Sequence, residues 1–444
     1  MPQWRVLYDR FDPEAPAPPE FRAVRPHSPV EAVARRLDKK LTEDRVLLVG
    51  TRGNGKTTEL LRLAEDRSSR EFVVFLDLVR HFDEVVADLP ALEKVHAWEV
   101  CFLAGVAVWR AAEETLGHHW PPELAKRLAE VWQRARNASR DDGPDEPTLS
   151  KLDISRLAQT MIVAASPAAG AMAVGLKLLN SALDGVKWSL PIGSGARVLP
   201  DQHGAMQALL ACVNQVIAEV QTAYHRRVLL VIDGLDRVAD PQHVRALFID
   251  SQLLARFDCP TVLCAPNLRH DMHAATLPRF RCEILVNEPV LDHANPSLKG
   301  PGIAFFRAVF DQRSRDLGPA PDPALIARLA YFSGGQARMF VKLVRSAAES
   351  ALLDDAPVLT AAHVDAALDE QRRLLEMGLH RGHIEILRQV ADDPEHRLPD
   401  NDRVWDLLAK LRLLPYPNNS EWYYPHPLLM GSLVRPSPPP GAGG

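Results

Sequence analysis

Residues 50–57 read GTRGNGKT, and a short apolar run, RVLLV at residues 45–49, stands directly before them. The apolar run has the composition of a buried parallel strand, and the residues that follow from Lys56 favour a helix. A glycine-rich turn between a strand and a helix lets successive backbone N–H groups curl around the oxygens of an anion, and the positive end of the helix faces the same anion. This stretch therefore predicts an α/β sheet that carries a phosphate-binding loop.

The loop residues indicate which anion is bound. The pattern G-x-x-x-x-G-K-T fits the phosphates of a nucleoside triphosphate. The Lys56 ammonium can reach the β- and γ-phosphates, and the Thr57 hydroxyl suits a Mg²⁺ ion. ATP and Mg²⁺ are therefore the expected cofactors, and no base-specifying motif excludes GTP. The expected nucleotide-binding residues are Gly50, Gly53, Asn54, Gly55, Lys56, Thr57 and Thr58.

A second apolar run, VLLVIDGLDR at residues 228–237, ends in acidic residues. A strand that ends in aspartate places a carboxylate beside the phosphate loop, so Asp233 is expected to hold Mg²⁺ together with Thr57. Asp236 is the candidate that polarises the attacking water during hydrolysis. Pairing of Asp236 with Arg237 or Arg269 is the alternative.

Two further polar positions follow predicted elements and complete the set of candidate catalytic residues. Asn267 comes just after the apolar strand at residues 261–265, where an amide can contact the γ-phosphate or orient water; ordinary loop polarity is the alternative. Arg338 follows the glycine turn of the sequence SGGQAR at residues 333–338, in the first turn of a helix. A guanidinium there can reach a nucleotide phosphate. A cation at a helix N-terminus opposes the helix dipole, and this local conflict favours a functional role over a solvated arginine.

Composition and charge limit the classes of function. With 444 residues the chain is long enough for two or three domains, and 46% hydrophobic residues predict a packed globular protein. The 52 basic and 57 acidic residues give a net charge of −5, which excludes a strongly basic nucleic-acid coat. Five scattered cysteines without a C-x-x-C pair, and an N-terminus without a signal pattern, indicate a cytoplasmic location.

One segment without charge, MIVAASPAAGAMAVGL at residues 161–176, differs from the rest of the chain. It is shorter than the roughly 20 apolar residues that span a bilayer, and it contains Pro167. A buried helical hairpin or an oligomer contact is the expected role, with membrane insertion as the alternative.

Together these motifs resemble the AAA+-related signal-transduction ATPases, the STAND group, over roughly residues 29–429. Residues 50–57 are then the Walker A motif and residues 228–233 the Walker B motif. The run Asp-Gly-Leu-Asp-Arg at residues 233–237 is also similar to the Asp-x-x-Asp-Arg signature of KAP-type NTPases. The resemblance implies a sensor-1-like role for Asn267 and a sensor-2-like role for Arg338.

Departures from this family pattern bear on activity. AAA+ proteins usually have Asp-Glu where this chain has Asp233-Gly234, which implies slow hydrolysis that suits a switch better than a motor. No arginine finger is evident from the sequence; Arg237, Arg279 and Arg281 are the possibilities.

The resemblance also implies an order of domains. An α/β P-loop NTPase of AAA+/STAND type is expected to be followed by a helical lid and a winged helix whose wing tip is Asn418-Asn419. The expected boundaries are an irregular segment at 1–27, the NTPase domain at 28–300 with a helical, partly apolar insertion at about 91–200, the lid at 301–375, the winged-helix-like domain at 376–432 and a disordered tail at 433–444.

Three functions are compatible with these features. The first is an ATP-binding, slowly hydrolysing regulatory switch of the STAND kind, which by association suggests a bacterial defence or conflict system. Its partners would be further copies of the chain, or a separate effector or sensor protein. The second is a DNA-binding initiator or loader that uses the winged helix, with Arg403, Lys410 and Arg412 near the recognition helix. The third is a nucleotide-stabilised scaffold.

Overall fold

The computed structural model describes residues 2–26, 28–39, 45–138, 203–268, 270–297, 299–318, 320–416 and 421–434. Two compact units divide the chain: the sheet unit, residues 29–49 and 59–284, and the lid unit, residues 1–28, 50–58 and 285–444. The apolar segment 161–176, Arg269, the wing tip Asn418-Asn419 and the tail from residue 435 lie outside the described residues.

The sheet unit is built on five parallel strands in the order β2-β3-β4-β1-β5. The strands are β1 Arg45–Val49, β2 Phe72–Asp77, β3 Val228–Asp233, β4 Thr261–Ala265 and β5 Arg281–Ile284. Strands β3 and β4 are buried along their whole length, as their continuous apolar runs predict for inner strands of a parallel sheet. Because all strands are parallel, the carboxyl ends of β1, β3 and β4 lie at one edge of the sheet.

The described residues form helices before, between and after these strands. In chain order they are α1 Pro2–Arg10, α2 Pro29–Asp38, α3 Lys56–Arg67, α4 Leu78–Arg80, α5 Ala97–Leu116, α6 Pro122–Ala138, α7 His203–Tyr224, α8 Pro241–Arg245, α9 His270–Thr276, α10 Ile303–Ser314, α11 Pro323–Phe332, α12 Ala337–Leu353, α13 Ala361–Glu376, α14 Arg381–Asp392 and α15 Arg403–Ala409. Helix α3 begins at Lys56, directly after the glycine-rich loop.

Helices α5, α6 and α7 pack against one another and share a core with the sheet. The described part of the insertion expected to be helical at about 91–200 is divided at Gly117, whose φ of +63° ends α5. Aromatic pairs join the two halves: Phe102 stacks on Trp132 with ring centroids 4.1 Å apart. Within the residues that the structure describes, none of the helices combines the length and the apolar character needed to cross a lipid bilayer.

The N-terminal segment departs from the sequence prediction. Residues 1–27 were expected to be irregular because they are rich in proline, but residues 2–10 form α1, which packs on α12. The prolines of this segment from Pro13 onward lie beyond the helix. Trp4, Leu7 and Phe11 recur at helical spacing and are buried in the core of the lid unit, where Phe11 contacts the rings of Phe310 and Phe340.

The rest of the lid unit is helical except for one hairpin. Helices α10 to α13 come first, and Thr360 is the N-cap of α13. Helices α14 and α15 then precede an antiparallel pair, β6 Leu413–Tyr416 and β7 Trp422–Pro425. The fold class predicted from the sequence is confirmed: a parallel α/β sheet of the P-loop type is followed in the chain by helices and a helix–helix–hairpin segment.

Glu99, in the first turn of α5, should make stability depend on pH between about 4.5 and 7. Burial raises the pKa of this carboxyl to about 7, although the backbone N–H of His96 donates to it at 2.8 Å. The folded state therefore keeps a proton that the unfolded state has lost, and the free energy of unfolding falls as pH rises through this window. Glu99→Gln should raise the free energy of unfolding by about 2–3 kcal/mol at pH 8 and leave it nearly unchanged at pH 4.

Urea denaturation at both pH values measures this effect. The matched control is Glu123→Gln, which removes an exposed carboxyl from the first turn of α6 and should change stability little at either pH. If Glu99→Gln raised the free energy of unfolding equally at both pH values, the effect would not come from the buried charge of Glu99.

Candidate nucleotide-binding site

The phosphate loop leaves the sheet where β1 ends at Val49 and enters α3 at Lys56. Gly53 and Gly55 have φ angles of +86° and +98°, in the left-handed region where a side chain would be strained. At these two glycines the backbone changes direction between β1 and the N-terminus of α3. The geometry matches that of an anion cradle at a helix N-terminus.

The Lys56 side chain is buried and folded back on the loop. Its ammonium donates to the carbonyl oxygens of Gly50 at 2.9 Å and Thr51 at 2.8 Å. A phosphate in the loop would compete with these two carbonyls for the same N–H groups, and a charged acceptor forms the stronger hydrogen bond. Lys56 is thus placed to exchange loop carbonyls for phosphate oxygens.

Arg25 supports the loop, although no motif of the sequence points to it. Its guanidinium donates to the carbonyl oxygen of Asn54 at 2.7 Å, to Glu288 Oε1 at 2.6 Å and to the carbonyl oxygen of Val286 at 3.1 Å. The Asn54 side chain, also fully buried, donates to the Leu285 carbonyl. The loop is therefore held by the segment that follows β5, and no sequence spacing between Arg25 and Glu288 could have predicted this pair.

Arg338 lies against the loop, as its position after the glycine turn suggested. Its backbone N–H donates to the carbonyl oxygen of Gly53 at 2.8 Å. Its side chain points to the N-terminal segment, where Nε donates to the Pro13 carbonyl at 3.1 Å and the guanidinium lies 3.8 Å from Glu14. The structure thus brings Arg338 to the loop, and its contact with the γ-phosphate stays a prediction.

The candidate carboxylates belong to the sheet unit. Asp233 ends β3, Asp236 lies in the turn that follows, and the ligand atoms of these two residues and of Cys264 are all within 4.8 Å of one another. Two carboxylates suit a hard cation such as Mg²⁺, whereas a thiol does not. The Asp233 carboxylate therefore fits a Mg²⁺ ion, and the Asp236 carboxylate lies within 4.8 Å of the Asp233 carboxylate.

Gly234 explains why the second motif lacks the usual glutamate. Its φ is +97°, and a Cβ at this position would lie 3.0 Å from both the backbone N and the Cγ2 of Val79. A glutamate would thus be strained and crowded here. The acidic side chain of the turn is instead Asp236, two residues further on.

The remaining candidates at this sheet edge differ in their surroundings. Asn267 is exposed in the segment after β4, at the same edge as Asp233. Asp77, which belongs to none of the predicted motifs, pairs in register with Asp233. Burial raises the pKa of Asp77, and its carboxylate caps α4 by accepting from the Arg80 backbone N–H at 3.0 Å. Asp77 therefore has a structural role at the edge of the site.

Two of the possible arginine fingers are engaged within the sheet unit. The Arg279 guanidinium donates to the carbonyl oxygens of Ile249 and Ser251, the latter at 3.1 Å. Arg281 pairs with Glu283. In this structure Arg279 anchors the segment before β4, and neither contact involves a phosphate-binding element.

No family model matches the chain, and no curated protein matches it. Solved structures of similar fold include the ORC2 protein of Aeropyrum pernix in its ADPNP–ADP complexes, 14% identical with a TM-score of 0.42, covering 96% of this chain and 93% of that one. The A. pernix ORC1 protein in complex with DNA is 13% identical with a TM-score of 0.38 and the same coverage. Drosophila ORC bound to DNA is 9% identical with a TM-score of 0.38, covering 96% and 89%. Each is a likeness of fold, and none singles out the STAND or KAP subtype.

Proposed function

We propose that this chain is a nucleotide-dependent ATPase whose phosphate loop binds ATP. The observation that carries the proposal is the loop itself, with two glycines in the left-handed region, a buried lysine held on loop carbonyls and the N-terminus of α3. These are the features that a triphosphate needs: backbone N–H donors, a mobile cation and a helix dipole. Chemistry of another class has no comparable constellation among the described residues.

Within this proposal each residue has one task. The loop residues Gly50 to Thr58 bind the phosphates, and Lys56 bonds the β- and γ-oxygens. Thr57 and Asp233 hold Mg²⁺, which neutralises phosphate charge when bound; this assignment comes from the sequence. Asp236 polarises the attacking water, Asn267 orients it, and Arg338 contacts the γ-phosphate.

The output that we propose is a regulatory switch. Arg338 lies in the first turn of α12, and its backbone N–H donates to the Gly53 carbonyl of the loop, so a change in the loop reaches the lid helices directly. Nucleotide would then change the surface that the lid unit offers to further copies or to a separate effector protein. The STAND subtype rests on sequence resemblance alone, and a defence role gains no support from the structure.

Duplex DNA is the second candidate partner, favoured by the helix–helix–hairpin order of α14, α15, β6 and β7. Arg403 at the start of α15 is exposed. Lys410, however, pairs with Asp406 at 2.7 Å, and Arg412 is buried, donating to the Leu375 carbonyl at 2.9 Å. Arg412, expected near the DNA, is thus a structural residue that holds the end of α13.

Salt-dependent duplex binding that is lost in Arg403→Glu, but kept in Arg381→Glu on the exposed start of α14, would favour the DNA reading. Absence of duplex binding at low salt would exclude duplex DNA as the partner and leave the regulatory switch as the proposed function.

Asp236→Asn tests the hydrolytic role. It should lower ATP turnover by roughly 100-fold or more while ATP affinity changes little, because a general base or water-orienting group contributes about 10²–10⁴-fold. Phosphate release and equilibrium ATP binding measure the two quantities. Asp258→Asn, an exposed aspartate before β4, is the matched control and should leave both unchanged. Unchanged turnover in Asp236→Asn would refute its role.

A further inference from the structure

Asn287, three residues after β5, is the residue that joins the phosphate loop to the β6–β7 hairpin. The Thr51 hydroxyl of the loop donates to Asn287 Oδ1 at 2.8 Å, and Asn287 Nδ2 donates to the Pro415 carbonyl of β6 at 3.2 Å. Asn287 is 1% exposed and Thr51 6%, so water does not compete for either bond. One buried amide thus uses its acceptor on the loop and its donor on the hairpin.

A second set of contacts runs between the same elements. Glu288, which accepts from Arg25, donates its backbone N–H to the Gly335 carbonyl at 2.9 Å. The Tyr416 hydroxyl of β6 donates to the neighbouring Gly334 carbonyl at 2.9 Å. Residues 287–288 therefore contact the loop on one side, and on the other the hairpin and the turn that begins α12.

Packing of buried aromatic side chains couples the two strands of the hairpin to each other. Tyr416 stacks on Trp422 across the two strands with ring centroids 4.8 Å apart, and both rings are completely buried. Packed aromatic pairs resist independent displacement of single side chains. A shift imposed at Pro415 is thus passed to both strands.

Thr51 is the loop residue through which phosphate binding acts on the contacts between the loop, Asn287 and the hairpin. Its carbonyl oxygen accepts from Lys56 at 2.8 Å, and its hydroxyl holds Asn287. When a phosphate draws the Lys56 ammonium away, the Thr51 carbonyl loses that donor, and the residue must readjust while its side chain stays bonded to Asn287. We propose that Asn287 is a positioning residue that couples phosphate occupancy of the loop to the conformation of the β6–β7 hairpin. This inference rests on the proposed function.

Hydrogen–deuterium exchange of hairpin peptides, with and without ATP and Mg²⁺, tests the coupling on the full chain. In wild type, ATP should change exchange of the non-proline amides within residues 413–416 and 422–425 by at least severalfold. In Asn287→Ala the change should disappear, while ATP still binds with an affinity reduced by about fivefold, the equivalent of one neutral hydrogen bond. Asn295→Ala, an exposed asparagine of the same segment, should respond as wild type.

Variants of Thr51 separate coupling from folding defects. Thr51→Val removes the hydroxyl and should lose the hairpin response, whereas Thr51→Ser keeps the donor and should restore it. ATP binding by Asn287→Ala or Thr51→Val with a wild-type hairpin response would overturn the coupling alone. A wild-type chain that binds no nucleotide would overturn the proposed function and this inference with it.

Discussion

Lys56→Ala is expected to weaken ATP binding by roughly 100-fold or more. The variant removes the Lys56 ammonium, which is proposed to bond the β- and γ-phosphates, and each charge-assisted hydrogen bond is worth about 1.5–3 kcal/mol. Two such bonds correspond to a factor of about 100 or more in the dissociation constant. Isothermal titration calorimetry with ATP and Mg²⁺ measures it directly.

Two further variants make that result specific. Lys56→Met keeps the apolar stem and should bind as weakly as Lys56→Ala, which assigns the loss to the ammonium. Lys94→Ala removes an exposed lysine far along the chain from the loop and should bind like wild type. ATP affinity within threefold of wild type in both Lys56 variants would show that the loop binds no triphosphate, because a factor of three is only about 0.6 kcal/mol.

Gly335→Ala is expected to destabilise the lid unit by at least about 3 kcal/mol, among the largest effects of a single substitution. Gly335 has a φ of +79°, and a Cβ there would overlap the carbonyl oxygen of Glu288 and lie 3.0 Å from its carbonyl carbon. The colliding atoms are backbone, so no side-chain rotation relieves them. Because Glu288 also holds Arg25, the change should loosen the phosphate loop and weaken ATP binding.

Gly117→Ala is the matched control for that prediction. Gly117 also has a positive φ, +63°, but nothing lies within 4 Å of a Cβ at this position. Gly117→Ala should therefore lower the free energy of unfolding only by the strain of the left-handed backbone, about 1–2 kcal/mol. Urea denaturation followed by tryptophan fluorescence compares the two; equal destabilisation would mean that the contact with Glu288 contributes nothing.

The sequence predicted the parts of the structure whose signals are local. The loop at residues 50–57 and the strands at 45–49, 228–233 and 261–265 are confirmed because each is a continuous apolar run or a glycine pattern read over a few residues. The fifth strand, Arg281–Ile284, is not a continuous apolar run of this kind. Its residues alternate between polar and apolar, as is typical of an edge strand, so the sequence does not show where this strand begins.

What the sequence did not predict depends on contacts between distant residues. Arg25 and Asn287 hold the loop, yet they are 29 and more than 200 positions from the loop residues that they bond, and neither belongs to a motif. Helix α1 was missed because its apolar spacing is short and prolines follow it. Gly234 could be recognised as a departure from the family pattern, but its cause, the close approach of Val79, exists only in the folded chain.

Release of inorganic phosphate from ATP by the wild-type chain in the presence of Mg²⁺, with Lys56→Ala as the background, tests the ATPase assignment most directly. We expect slow phosphate release by wild type, which chelation of Mg²⁺ abolishes and which Lys56→Ala lacks. Phosphate release by wild type that equals the Lys56→Ala background would contradict the ATPase assignment.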